Sequence, residues 1–168
     1  MTKSFSTLSS ALGFMALFGL ASLSPAAAIS DSYRSLSARL VSQAEAQLAA
    51  DKVAKADELL NLALTANPGN ARAYVVKGQA QGRLDNKEEA LRLIGVGLDI
   101  EPGDLAALRL QGDAALAIED IEQAEKSLSV LRRLCAAPCQ SANELAAAIA
   151  QTQTAGAENS QPESSKKD

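Results

Sequence analysis

Residues 71–104 read ARAYVVKGQAQGRLDNKEEALRLIGVGLDIEPGD, and this stretch decides the fold because its punctuation recurs on both sides at one interval. Pro68 and Pro102 are 34 residues apart, as are Gly78 and Gly112, and Ala56, Ala90 and Ala124 fall on the same interval. A constant interval of this length marks a stacked array, in which each unit buries its apolar face against its neighbours. Inside the stretch, Tyr74, Gly78 and Gln81 at i, i+4 and i+7 predict a helix over Arg72–Leu84. Asp85-Asn86 makes a turn, and Ala90, Leu91, Ile94 and Leu98 predict a second helix over Lys87–Ile100. Glu101-Pro102-Gly103-Asp104 stops that helix, with Asp104 placed to cap the next one, and Asn67-Pro68-Gly69-Asn70 repeats the device one unit earlier.

Counting outward from Ser37 divides the chain into units over 37–70, 71–104 and about 105–138. Ser141–Gln153 follows as a further helix. Ser141 with Glu144 fits a capping box, and Leu145, Ala148 and Ile149 line one face. A terminal helix with one apolar and one polar face is what closes the end of an array. The helical repeat domain is thus expected over 29–154, opening with a short lead at Ile29–Ser35. The tail from Ala155 to Asp168 has no aromatic or branched apolar residue and is expected to be disordered.

Composition agrees with an all-α fold. Of 168 residues, 47% are apolar but only 3% aromatic, with no Trp and much alanine. That mixture suits closely approaching helices better than a sheet, which favours β-branched and aromatic residues. The formal charge is -4, with no basic patch of the size needed to hold several phosphates, so nucleic acid is not an expected partner. The chain contains no histidine, which removes the commonest general base and metal ligand.

Residues 1–28 read as a secretory signal. Lys3 supplies the positive start, Leu8–Leu23 is an apolar run softened by Ser and Gly, and Pro25-Ala26-Ala27-Ala28 offers a small-residue cleavage site after Ala28. The competing reading is an uncleaved membrane anchor, for which the apolar run is short against a span of about 20 residues. Cleavage leaves 15 Lys and Arg against 20 Asp and Glu, and no second candidate span follows. The expected location is periplasmic or secreted.

The pattern resembles the tetratricopeptide repeat. Position 4 of the unit holds Leu40, Tyr74 and Leu108; position 8 holds Ala44, Gly78 and Gly112; position 20 holds Ala56, Ala90 and Ala124. Position 24 holds Leu60, Ile94 and Leu128, and position 27 holds Ala63, Gly97 and Leu131. Two departures stand out. Position 7, usually Leu in that family, holds Gln43, Lys77 and Gln111, and the third unit has Ala136 where Pro belongs. The resemblance implies an α-solenoid of three helix pairs plus a capping helix.

Apart from any family, two antiparallel helices approach to roughly 8–10 Å only where the facing side chains are small. Gly78 against Ala90 and Gly112 against Ala124 are the expected close contacts.

The resemblance also implies a concave groove lined by the first helix of each pair. Carried over position by position, that surface is Val41, Glu45, Arg72, Val75, Val76, Gln79, Arg83, Arg109, Leu110 and Asp113. Its mixture of apolar and charged groups suits a peptide or helix ligand. The family's carboxylate clamp requires Lys or Arg and Asn at set positions, where this chain has Val41, Glu45, Val76, Ala106 and Leu110. Clamp-type recognition of a C-terminal carboxylate is therefore not expected. The same groove residues are also compatible with a plain solvated face.

Outside the repeat, the chemistry lies in Cys135-Ala-Ala-Pro-Cys139. In an oxidising compartment an even pair at this spacing reads first as a structural disulfide. A redox-active pair would want a lowered thiolate, for which Arg132 and Arg133 are nearby, and two thiolates could also hold a soft metal such as Cu(I). The carboxylates are scattered on polar faces. Glu88-Glu89 and Glu119-Asp120 are read as helix starts, where negative charge favours the dipole.

The expected function is non-catalytic and needs no cofactor: an adaptor or scaffold that holds another envelope protein or peptide segment in its groove. Two readings compete with it. One is a thiol-dependent redox or copper-handling assembly factor using Cys135 and Cys139. The other is a self-associating protein that stacks through its open N-terminal face.

Overall fold

A computed structural model describes residues 25–159. The N-terminal part of the expected signal (1–24) and the tail 160–168 lie outside the described residues. Seven helices follow one another: α1 (Pro25–Ala49), α2 (Val53–Ala66), α3 (Ala71–Arg83), α4 (Lys87–Ile100), α5 (Leu105–Ala117), α6 (Ile121–Leu134) and α7 (Gln140–Asn159). Among the described residues there is no strand, and no helix is long and apolar enough to cross a membrane. The helices pair as α1 with α2, α3 with α4 and α5 with α6, and each pair stacks on the next. First helices touch one another along one side, α1 to α3 to α5 to α7, so α7 occupies the place of a fourth first helix.

Each pair turns through the same device. Asp51, Asp85 and Glu119, at one position of the three units, all hold the left-handed conformation with φ of 57°, 64° and 62°. That reversal lets the amides past each first helix bond back to its last carbonyls: Lys52 N–H to Gln47, Asn86 N–H to Gln81, and Asp120 N–H to Ala115. Glu119 is therefore the turn residue rather than a helix start. Asp120 is the cap, its carboxylate accepting from the Gln123 amide. Between units, Asn70 accepts from the Ala73 amide, and Asp104 accepts from the amides of Ala106 and Ala107.

The core divides in two along α3. Val41, Ala44, Leu48, Ala56, Leu60, Ala63, Ala73, Val76 and Ala80 form one cluster. Val75 belongs to the other, with Ile94, Leu98, Leu108, Leu128, Leu131, Leu145 and Ile149. Small residues set the approach distances. A β-carbon on Gly78 would lie 2.6 Å from Ile94 Cγ1 and 2.9 Å from the Ala90 carbonyl, so α3 meets α4 there backbone to backbone. At Gly112 the three atoms nearest the missing side chain belong to Leu145 of α7, so its bare surface receives the capping helix.

Two of the three polar residues at position 7, Lys77 and Gln111, have side-chain partners. Lys77 donates to Asp57 at 3.0 Å and Asn61 at 2.6 Å, and Gln81 donates to the same Asp57 carboxylate at 2.8 Å. Gln111 accepts from the buried Ser127 hydroxyl at 2.9 Å. At this position α3 and α5 thus make hydrogen bonds to second helices.

Both ends of the array depart from expectation. Residues 29–35 are not a lead but part of α1, whose extra turns carry the Arg34–Asp31 ion pair and the Ser35 hydroxyl bond to the Ser32 carbonyl. Once a helix is nucleated, each added residue costs little. At the other end α7 begins at Gln140 and runs to Asn159, taking in residues 155–159 of the expected tail. Gln153 of α7 donates to Glu125 of α6, and Thr152 and Thr154 return hydroxyl bonds to the preceding turn. The capping box does not form. Ser141 is inside the helix, the Cys139 carbonyl accepts the Asn143 amide, and Glu144 accepts from Gln140.

Candidate functional site

The first helices α1, α3, α5 and α7 line one side of the array. Their neighbouring faces leave two hollows that contain most of the expected groove residues.

The first hollow lies between α1 and α3. It has a volume of about 300 Å³ and is lined by Ala38, Val41, Ser42, Glu45, Asn70 and Arg72. Arg72 Nε donates to Glu45 at 2.8 Å across the two helices. Both partners are partly exposed, at 50% and 38%, so the pair fixes geometry more than it stabilises. Arg83, from the same helix, reaches back and donates to the Leu48 carbonyl near the end of α1.

The second hollow lies between α3 and α5 and measures about 230 Å³. Gly78, Gln79 and Gly82 come from α3, Lys87, Ala90 and Ile94 from α4, and Leu110, Asp113, Ala114 and Ala117 from α5. The space exists because three of these positions carry glycine or the alanine of the helix crossing. A β-carbon on Gly82 would meet nothing closer than the Ala90 methyl at 3.6 Å. Its lining is mostly apolar, with Gln79, Lys87 and Asp113 the polar members.

One wall carries a charged group under constraint. Arg109 Nη1 donates to both Asp113 oxygens, at 2.7 and 2.8 Å, while its Nε is buried without an acceptor. Burial pushes the Asp113 carboxyl above the usual carboxylate range. Arg109 pulls it down by charge and hydrogen bond, and Glu144 of α7 adds to the upward shift.

The expected groove residues therefore separate. Gln79, Leu110 and Asp113 line the α3/α5 hollow, and Val41, Glu45 and Arg72 line the α1/α3 hollow. Arg83 and Arg109 stand beside them through their bonds. Val75 and Val76 do not reach the groove: they are 1% and 0% exposed and belong to the two core clusters. Adjacent residues on a helix point about 100° apart, and the superhelical stacking closes over both. Val41 too is largely core, at 4% exposed. Gly82, Lys87, Ile94, Ala114 and Ala117 were not among the expected residues. The readable trace of them was Gly82, one turn after Gly78 on the same face.

Cys135 and Cys139 are joined as a disulfide, with Cα atoms 5.8 Å apart, closing the linker between α6 and α7. The linker contains a cis Ala137–Pro138 peptide bond. Neither sulfur is a free thiol, and among the described residues no group of three or more His, Cys, Asp or Glu could hold a metal ion.

No family model matches the chain, and no curated protein matches it. Solved structures do. The first tetratricopeptide domain of Spaghetti (RPAP3), bound to the HSP90 peptide SRMEEVD, is 19% identical with a TM-score of 0.65, over 72% of this chain and 95% of that one. The tetratricopeptide domain of Sgt2 from Aspergillus fumigatus is 19% identical with a TM-score of 0.66, over 79% and 88%. The type III secretion chaperone SycD of Yersinia enterocolitica, in complex with a peptide of the translocator YopD, is 15% identical with a TM-score of 0.59, over 73% and 93%. The chain has the all-α tetratricopeptide fold.

Proposed function

We propose that this tetratricopeptide array is a non-catalytic adaptor that holds a segment of another protein along α1, α3 and α5, anchored in the hollow between α3 and α5. The observation that carries the reading is that hollow: an apolar recess of about 230 Å³ on the first-helix side, kept open by Gly78, Gly82 and Ala90 and rimmed by Gln79, Lys87 and Asp113. Its size suits one bulky apolar side chain, and the polar rim suits a peptide backbone or flanking polar group. Two similar folds carry peptides, the Spaghetti domain and SycD. Glu45, a carboxylate at one of the clamp positions, makes an acidic C-terminal tail a poor ligand here.

The leader-like residues 1–28 support export, and we place the adaptor and its partner in the bacterial envelope on that ground. The bonded sulfurs support a staple at the end of the array rather than working thiols.

A random-peptide display selection tests the binding site. Selection on the purified chain should enrich peptides with a recurring bulky apolar residue. Those peptides should lose binding to Ala117→Trp, which fills the hollow from its exposed rim. Enriched peptides that bind Ala117→Trp unchanged would place the site elsewhere.

A further inference from the structure

We infer that the open N-terminal face of the array, made by α1 and α2, is an interface with a second copy of this chain, the two packed about a two-fold axis. Among the described residues, the repeat leaves this face of a helix pair uncovered. In the third unit, Leu108 at position 4 is buried beneath the preceding pair, and in the second, Tyr74 is partly covered. Leu40, at the same position of the first unit, lines an open hollow of about 350 Å³ with Tyr33, Leu36, Leu62, Thr65 and Ala66. No charged residue lines it. Tyr33 and Leu62 are 53% and 57% exposed.

α1 carries two stripes. Ser37, Val41, Ala44 and Leu48 face inward and are buried in the array. Tyr33, Leu36 and Leu40 form the other at i, i+3 and i+7, and Gln43 and Gln47 continue its spacing. That alternation of three and four is the seam by which one helix packs along another. α1 is also overlong: of its 25 residues, the 21 from Ile29 to Ala49 lie beyond the expected cleavage site, whereas α3 and α5 have 13 residues each. At about 1.5 Å per residue that part reaches roughly 31 Å.

Area and symmetry select a second copy. Two helices side by side, one of that length, present a footprint of roughly 550 Å² per copy, close to the lower end of what specific interfaces bury from each partner. Without the overlong part of α1 the face falls short. The other end of the array is closed by α7, whose Asn143, Glu144 and Gln151 are exposed. A head-to-tail stack would set an apolar face on a polar one, whereas two-fold pairing sets apolar on apolar and closes at two copies. The charges flanking the face occur as opposite pairs, Asp31 with Arg34 and Lys55 with Glu58, so rotation brings both signs to each edge.

Sedimentation equilibrium of the purified full chain, its N-terminus fixed by intact mass, tests the interface from low to high micromolar concentration. The mass should rise to twice that of the monomer and stop. Leu36→Glu with Leu62→Glu should be monomeric at the same concentrations with unchanged helical circular dichroism. Leu134→Glu, exposed at the far end of α6, should dimerise as the parent does. If the double variant loses its helical signal, the single variant Leu62→Lys takes its place, since that side chain is already more than half exposed. A parent monomeric throughout, a mass that keeps growing, a dimer that survives the face variants, or one lost equally in Leu134→Glu would each overturn the inference.

Discussion

Leu145 of α7 lies against the bare backbone of Gly112 in α5, so closely that a β-carbon on Gly112 would stand 2.5 Å from Leu145 Cδ2 and 3.2 Å from its Cγ. Leu145 is fully buried, so its side chain can yield only by displacing its core neighbours. Gly112→Ala should therefore destabilise the chain by about 1–3 kcal/mol through overpacking. Leu145→Ala should cost about 2–5 kcal/mol through the cavity it leaves. Urea unfolding measures both. Parent-like midpoints in both variants would mean that α7 does not dock in this way.

The left-handed turns are open to improvement. Glu119 holds φ 62° with a side chain that gains nothing local from the conformation, whereas Asp85 at φ 64° is of a type that tolerates it better. Glu119→Gly should raise stability by about 1 kcal/mol, and Asp85→Gly by less. Thermal unfolding of the two variants reads the order directly, and a lowered midpoint for Glu119→Gly would contradict the turn geometry.

These turns also mark where sequence reading stops. The 34-residue spacing of Asp51, Asp85 and Glu119 was visible, but their backbone sign was not, since none is glycine. α4 was legible to the residue because Asn86 and Pro102 bracket an amphipathic run. Val75 and Val76 were not, because whether a helix position faces the groove or the next unit depends on the superhelical stacking, which no local pattern encodes. For Gly112, the contact with Leu145 was missed for a related reason. Its partner lies 33 residues away, on a helix whose place as a fourth first helix had to be seen. Residues 155–159 were read by their lack of branched apolar groups, yet alanine and glutamate extend a helix already held by α6.

The Cys135–Cys139 bond closes a loop of a few residues, for which the chain-entropy relation gives about 2 kcal/mol. Cys135→Ser with Cys139→Ser should lower stability by that order and leave helical content and peptide binding intact. Loss of binding in a variant with native circular dichroism would move the function to the sulfurs.

The Asp113 carboxyl titrates above the ordinary aspartate range because of burial, despite Arg109. Its folded pKa is raised, so its contribution to stability is fully present below the unfolded pKa and is lost as pH rises through the folded one. Carboxyl-detected NMR titration should find it shifted upward, and Glu144→Gln should bring it part of the way back. A value in the ordinary range would mean that the α5/α7 wall is more open than described.

The groove itself is tested most directly by site-specific photocrosslinking in cells that make the full chain. A photoreactive residue placed at Gln79, on the rim of the α3/α5 hollow, is compared with one at Asp99 on the second-helix side, where a separate hollow opens. The adaptor account predicts a discrete crosslinked partner from position 79, lost when Ala117→Trp is added, and none from position 99. Crosslinks from 99 alone, or crosslinks from 79 that ignore Ala117→Trp, would contradict it.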